Sequence, residues 1–164
     1  MTIVVLDGYT LNPGDNPWIE LDKLGQVTFY DRTPVSQIVE RARSPEIILT
    51  NKAPLNAGIL DHLPLLKFIA VTATGINVVD AVAAARRSIP VANVPVYGTT
   101  TVAQHTFALI LELCNHVGLH ADSVRAGGWT ACTDWCYWKS PLLGLDGRTI
   151  PDAFCEKRAV RVHE

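Results

Sequence analysis

The amino-acid sequence predicts a doubly wound α/β domain with a parallel sheet over residues 1–94. Short runs of β-branched and other apolar residues alternate there with stretches that have the period of a helix. Each strand is a continuous apolar run, and each is followed by a helix of about two to three turns. This combination is typical of a parallel sheet covered by helices on both faces, and right-handed crossovers leave few alternative topologies.

The elements follow in regular order along the chain. Strands are predicted at residues 3–6, 27–30, 47–49, 68–71 and 91–92. Helices are predicted at 17–24, between 33 and 45, at 56–63 and at 79–87. Thr33 and Pro34 predict the start of the second helix, as a cap followed by a first-turn proline. In the third helix, the spacing of three apolar residues predicts a buried face: Ile59, Leu60 and Leu63.

Composition narrows the possible classes of protein. The chain has 164 residues, of which 48% are hydrophobic and 18% charged, which indicates a protein with a substantial core. Its net charge of −2 gives no electrostatic basis for binding nucleic acid or an anionic membrane. The start of the sequence has no visible signal-peptide pattern. The four cysteines are therefore expected to be reduced thiols, and the protein to be cytoplasmic.

A long apolar helix is predicted after the fifth strand, within residues 91–117. Any of the three threonine hydroxyls at 99–101 could cap its first turn. Apolar residues occupy more than one side of this helix, which predicts burial between other elements. Its polar residues interrupt it too often for a membrane span. The pattern fits a helix between two lobes and an ordinary central core helix equally well.

Residues 129–141 hold three tryptophans, a tyrosine and two cysteines without helical or strand period. Trp and Tyr concentrate in interface cores, so this stretch is a candidate arm that buries its rings against a second subunit. The alternative is an aromatic loop folded over its own domain.

Candidate binding residues lie in the loops beyond the carboxyl ends of the predicted strands, where open α/β sheets bind ligands. These loops are residues 7–8, 51–52, 72–77 and 93–101. Around Gly75, a ligand could approach backbone N–H groups that would cradle an anion, although such a loop is often only a tight turn. Lys52 could attract a carboxylate on the same rim, or could simply be a solvated surface lysine.

Other chemistry-bearing residues do not form a motif. Glu112, His116 and His120 recur every fourth residue, but H-E-x-x-H is missing and no metal site is predicted. Cys132 and Cys136 have neither the redox nor the zinc spacing. His105 is interpreted as a capped or packed histidine. The sequence contains no G-x-S-x-G, Walker A or G-x-G-x-x-G fingerprint.

Three stretches together resemble the D-2-hydroxyacid dehydrogenases, most closely their glycerate dehydrogenase (hydroxypyruvate reductase) branch. They are LKFIAVTATGINVVDAVAAARRSIPVANVPVYGTTTVAQHTFALIL, VRAGGWTACTDWCYWKSPLLGLDGRT and, more weakly, TNKAPL. The resemblance covers residues 1 to about 149. It implies a flavodoxin-like substrate domain (1–98), an interdomain helix (99–127), and a dimerisation arm with the truncated start of a Rossmann domain (128–149).

The resemblance also implies a function and site residues. The family transfers a hydride between NAD or NADP and a small 2-hydroxy or 2-oxo acid. Thr74, Gly75 and Ile76 match the loop whose N–H groups hold the substrate carboxylate, and Lys52 matches a position near it. Val102 matches a position that lines the nicotinamide pocket, and Thr100 lies close by; both are candidate cofactor-binding residues. The arm that would wrap the partner of a homodimer is matched by four aromatic residues: Trp129, Trp135, Tyr137 and Trp138.

The sequence departs from the family after Thr149. The family continues there with a strand and G-x-G-x-x-G, whereas this chain has Pro151 and no glycine after Gly147. Residues 150–164 are therefore interpreted as an aberrant tail, and the family's catalytic Arg, Glu and His are expected outside this chain. A truncated dehydrogenase that is inactive alone is predicted. The alternatives are a non-catalytic dimerisation or ligand-binding module, and a fragment without function.

Overall fold

A computed structural model describes residues 1–12, 14–15, 17–151 and 159–161. The chain divides into two compact units, Met1–Tyr97 and Gly98–Glu164, and each is considered by itself.

The first unit is built on a five-stranded parallel sheet. Its strands are β1 (Thr2–Val5), β2 (Gln26–Phe29), β3 (Ile47–Thr50), β4 (Phe68–Val71) and β5 (Val91–Ala92). They lie in the order β2-β1-β3-β4-β5, and every pair is parallel. This is the flavodoxin-like order of a doubly wound sheet, so the predicted fold class is confirmed. β4 and β5 have the predicted bounds.

Short helices connect the strands: α1 (Ile19–Asp22), α2 (Ile38–Ala42), α3 (Ala57–Leu60) and α4 (Ala81–Arg86). The Asn56 side chain caps α3 by accepting the Ile59 N–H at 2.9 Å, and the Asp80 carboxylate caps α4 by accepting the Ala83 N–H at 2.9 Å. Both caps satisfy N–H groups that have no partner inside the helix. α2, α3 and α4 bury apolar residues in the core, whereas α1 has no buried residue. The predicted inward face of Ile59, Leu60 and Leu63 is confirmed.

The start predicted for α2 is wrong. The Thr33 hydroxyl donates to the carbonyl of Leu6 at 2.6 Å instead of capping a helix. Pro34 is extended (φ −59°, ψ 146°), and a 3₁₀ turn at Val35–Gln37 precedes α2. The Leu6 carbonyl is distant from Thr33 in the sequence. The prediction of a helix cap used only neighbouring residues and therefore missed this acceptor.

The main core cluster lies against one face of β1, β3 and β4, where alternate residues of β3 and β4 are buried. β1 is the most enclosed strand, with Val4 and Val5 fully buried. β2 is an edge strand and is largely exposed, although Trp18 packs on Phe29 with ring centroids 5.3 Å apart. The carboxyl ends of β1, β3 and β4 are thus held by the best-packed part of the unit.

In the second unit, the described residues form the helices α5 (Thr99–Asn115) and α6 (Val117–Arg125). They are separated by His116, which adopts a left-handed conformation (φ 49°). The Glu112 carboxylate accepts the N–H of Gly118 at the break. The spacing of Glu112, His116 and His120 is therefore not that of one continuous helix.

Two expectations for α5 are wrong. Its cap residue is Gly98 and no side chain caps it; the Thr101 hydroxyl donates back to the Gly98 carbonyl at 3.0 Å. The helix is also largely exposed, with Leu113 75% exposed and Cys114 its one buried residue. An all-round apolar pattern predicts burial only if the chain places other apolar elements against the helix, and the described residues leave most of α5 open to solvent.

The end of the second unit is irregular. α6 ends before Gly127, whose positive φ (84°) turns the chain into the aromatic segment. β6 (Thr149–Pro151) pairs antiparallel with β7 (Ala159–Arg161). The rest of the predicted aberrant tail lies outside the described residues. Among the described residues, no helix combines the length and apolar character needed to cross a lipid bilayer.

Candidate carboxylate-binding site

The sheet register brings three of the predicted rim loops together. Val5 of β1 is paired with Leu49 of β3, and Thr50 of β3 is paired with Val71 of β4. The loops that follow these strands therefore start side by side at one edge of the sheet. Asp7 belongs to the first loop, Lys52 to the second, and residues 72–77 form the third.

Asp7 fixes the second loop. Its buried carboxylate accepts three consecutive backbone N–H groups: Asn51 to Oδ1 at 2.8 Å, and Lys52 and Ala53 (2.9 Å) to Oδ2. The buried Thr50 hydroxyl donates to the Ala53 carbonyl at 2.9 Å and closes the loop from the other side. Sequence reasoning placed Asp7 in a rim loop but gave it no role. The one feature of the sequence that could have indicated this role is the position of an acidic residue directly after a buried strand.

Lys52 presents its ammonium group to solvent while its backbone is held. The side chain is exposed, and within the described part of the chain it forms no ion pair. The neighbouring Asn51 amide donates to the Thr10 hydroxyl at 3.2 Å, which ties the second loop to the first again. The rim therefore carries a positive charge that is free to attract an anion.

The third loop is held at both flanks. The N–H of Thr72 donates to the Thr50 carbonyl at 2.9 Å. Asn93 donates its amide to the Thr74 carbonyl at 2.7 Å, and the Thr74 hydroxyl donates to the Val94 carbonyl at 3.2 Å. The loop is thus fastened to β3 on one side and to the segment after β5 on the other.

The middle of the third loop is exposed and has unused donors. Thr74, Gly75 and Ile76 are exposed, and among the described residues their backbone N–H groups have no acceptor. Gly75 has no positive φ, so its role concerns space: a Cβ there would lie 3.1 Å from the Asn77 side-chain oxygen. Adjacent free N–H groups in an open loop can hold a carboxylate.

Thr100 and Val102 belong to the second unit, on the first turn of α5. Both side chains are exposed, and Val102 is 65% exposed. They offer one hydroxyl and one apolar surface. The sequence has no G-x-G-x-x-G motif, whose backbone would cradle a pyrophosphate. Thr100 and Val102 by themselves therefore do not form a complete dinucleotide site.

The aromatic segment is tied to α6 by hydrogen bonds from Tyr137 and Lys139, and its tryptophans are exposed. The Tyr137 hydroxyl donates to Ser123 Oγ at 3.2 Å, and the Tyr137 ring lies edge-on to Trp129 with centroids 5.8 Å apart. Trp129, Trp135 and Trp138 are all exposed, Trp135 by 86%. Part of the segment is therefore folded on its own unit, and three indoles remain available for other contacts.

The remaining polar groups make local hydrogen bonds. His120 Nδ1 lies 2.8 Å from the His116 carbonyl, and its Nε2 accepts the Lys139 N–H at 3.1 Å. His105 is exposed rather than packed. Cys132 and Cys136 are free thiols, as is the buried Cys114. No cluster of three metal-ligating side chains occurs among the described residues.

The first unit has a flavodoxin-like fold whose rim carries an exposed lysine and backbone N–H groups that have no acceptor among the described residues. Residues 3–160 match the sequence model of the D-isomer specific 2-hydroxyacid dehydrogenase family, catalytic domain. The chain therefore belongs to this family, as the resemblance predicted.

Individual relatives agree with this assignment. The chain is 46% identical to a hydroxypyruvate reductase of Blautia hydrogenotrophica over 153 residues, covering 92% of this chain and 48% of the relative. It is 40% identical to a glycerate dehydrogenase of Methylorubrum extorquens over 114 residues, covering 70% of this chain and 36% of the relative. The chain thus spans about half the length, or less, of these two relatives.

Among solved structures, the D-lactate dehydrogenase of Aquifex aeolicus complexed with NAD and lactic acid has the same fold. Its TM-score is 0.62 at 23% identity, and the match covers 85% of this chain and 41% of that one.

Proposed function

We propose that this chain provides the carboxylate-binding domain of an NAD(P)-dependent D-2-hydroxyacid dehydrogenase of the glycerate/hydroxypyruvate type. Family membership and the two named relatives support the reaction class. The observation that carries the proposal is the exposed loop Thr74-Gly75-Ile76, whose N–H groups have no acceptor in the described part of the chain. Lys52, on the neighbouring loop, adds a positive charge.

In this proposal the chain binds and orients the acid. The N–H groups of residues 74–76 donate hydrogen bonds to the substrate carboxylate, and Lys52 raises the local concentration of anions. Holding the carboxylate fixes the position of C2, the carbon at which the family's chemistry occurs. The cofactor, when bound, supplies or accepts the hydride. No hydride or proton step is assigned to residues of this chain.

The second unit is proposed to serve the cofactor and the partner subunit. Thr100 and Val102 would line the nicotinamide pocket, and residues 99–127 would form the interdomain helix. Without a pyrophosphate cradle, the chain alone is expected to bind NAD and NADP weakly and to show no turnover. The three exposed indoles and Tyr137 would contact a second subunit of a cytoplasmic homodimer.

An NMR titration of the 164-residue chain tests carboxylate binding without requiring turnover. We expect hydroxypyruvate to shift the amide signals of Thr74, Gly75 and Ile76. Dihydroxyacetone is the matched control, because it replaces the carboxylate by a CH₂OH group and keeps the ketone. Equal responses to both compounds, or no shift in this loop, would refute the proposal.

A charge-removal pair tests the role of Lys52. Lys52→Met should weaken hydroxypyruvate binding, since it removes the cation on the rim. Lys23→Met is the control: Lys23 is exposed, precedes β2 at the opposite edge, and forms an ion pair with the exposed Glu20. Equal affinity of both variants would contradict a role for Lys52 in binding.

A second candidate function is a non-catalytic dimerisation module, favoured by the exposed apolar residues of α5 and the aromatic segment. Sedimentation of the purified chain separates the possibilities. Discrete dimers that dissociate when Trp135 and Trp138 are changed to Ser would support the module. Polydisperse aggregates would instead favour a fragment without independent function.

A further inference from the structure

We infer that Asp7 is a positioning residue for the carboxylate site: it holds the backbone of residues 51–53 and thereby fixes the place on the rim from which the Lys52 side chain extends. The inference rests on the proposed function, because it assigns Asp7 a role in binding the substrate acid. Asp7 itself makes no contact with the acid.

The hydrogen bonds of Asp7 are unusual in number and direction. Three successive N–H groups, those of Asn51, Lys52 and Ala53, converge on one carboxylate. Successive N–H groups point to the same side only when the backbone is curved into a concave nest. The carboxylate therefore selects one conformation of this loop from the many that an exposed connection could adopt.

Further contacts restrict the same three residues. The Thr50 hydroxyl holds the Ala53 carbonyl, and the Thr10 hydroxyl accepts the Asn51 side chain. The held segment is flanked by the fully buried Thr50 and Leu55. Lys52 thus has an exposed side chain on a backbone that is fixed on both sides. Among the described residues, Asp7 is the only acidic residue that accepts hydrogen bonds from this backbone segment.

The charge of Asp7 does not cancel that of Lys52 by direct pairing. Both Asp7 oxygens accept backbone N–H groups, and Lys52 Nζ makes no ion pair within the described part of the chain. The negative charge is buried among amide donors, whereas the ammonium group faces solvent. An acid that approaches the rim therefore meets the cation before the buried carboxylate.

A double-mutant cycle tests the positioning role. Hydroxypyruvate affinity is measured by NMR for the wild type, Asp7→Asn, Lys52→Met and the double variant. If Asp7 acts through Lys52, Asp7→Asn weakens binding by about fivefold when Lys52 is present and by less than about twofold when Lys52 is replaced. Equal effects in both backgrounds would overturn the inference, because a merely structural loss does not depend on the Lys52 side chain.

Glu46→Gln is the matched control variant. Glu46 is another carboxylate of the same unit that accepts a backbone N–H, from Thr2, but it lies at the opposite edge of the sheet. Its replacement should leave hydroxypyruvate affinity unchanged. If Glu46→Gln weakens binding as much as Asp7→Asn does, general destabilisation explains the data and the inference fails.

If Asp7→Asn does not fold, measurements on the wild-type chain still test the inference. Hydrogen exchange and ¹⁵N relaxation should show the amides of Asn51, Lys52 and Ala53 protected and rigid, like strand amides. Exchange at loop rates would overturn the inference. Failure of the wild type to bind hydroxypyruvate would refute the proposed function instead, so the two failures are distinguishable.

Discussion

Asp7→Asn should destabilise the first unit strongly, apart from any effect on ligand binding. The carboxylate serves three N–H groups with two oxygens, Oδ2 accepting two of them. An amide has only one oxygen. If that oxygen takes the place of Oδ2, the NH₂ group faces the N–H of Asn51, and two donors oppose each other in a buried site.

The magnitude follows from the number of bonds. A hydrogen bond to a charged group contributes about 1.5–3 kcal/mol, against about 1 kcal/mol for a neutral one. One bond is lost and two become neutral, which sums to about 2.5–7 kcal/mol. Relief of a buried charge offsets part of this. A net loss of about 2–4 kcal/mol is a large part of the stability of an ordinary domain.

Native-state hydrogen exchange is the suitable assay, because strand amides of β1, β3 and β4 report on the first unit alone. The slowest amides should exchange about 30- to 1,000-fold faster in Asp7→Asn than in the wild type. Glu46→Gln keeps an oxygen that can accept the Thr2 N–H and loses only a charge at a partly exposed site, so it should change these rates far less. A change below about 0.5 kcal/mol in Asp7→Asn, the range of ordinary surface substitutions, would refute the three-bond geometry.

Three further predictions concern other parts of the first unit. The hydrogen bond from Lys67, and to a smaller extent that from the Thr2 N–H, lowers the pKa of Glu46. The resulting stability is fully present above the ordinary carboxyl pKa and is lost as the pH falls through the lowered pKa. Identical acid-unfolding profiles of Lys67→Met and the wild type would contradict this prediction. Asn56→Ala removes the cap of α3 and should cost about 1 kcal/mol in urea unfolding, whereas the isosteric Asn56→Asp should not. Gly75→Ala should hardly alter stability, because the close atom is the end of the flexible Asn77 side chain, but should weaken hydroxypyruvate binding; unchanged affinity would mean that the acid does not approach this loop closely.

Much of the first unit could be predicted from local sequence pattern. β4 and β5 occur at the predicted residues, and the strand–helix alternation gave the parallel sheet. These features depend on apolar periodicity, which is visible in a window of a few residues. The rim loops followed from the same pattern, because parallel strands place their carboxyl ends at one edge.

Capping and loop fixation were decided by partners distant in sequence. Thr33 was predicted to start a helix, but its hydroxyl bonds the carbonyl of Leu6. The role of Asp7 was not predicted, because its three donors lie more than 40 residues away. Side-chain hydrogen-bonding capacity is known from the sequence, whereas the choice among competing partners depends on the assembled sheet.

The sequence by itself determined the family, the parallel sheet and the loop that presents Thr74, Gly75 and Ile76. The tertiary structure alone decided which polar groups fix that rim and which apolar residues are buried. The exposure of α5 shows the reason. An apolar pattern indicates that burial would stabilise a helix. Burial also requires an apolar surface to pack against, and only the folded arrangement provides that surface.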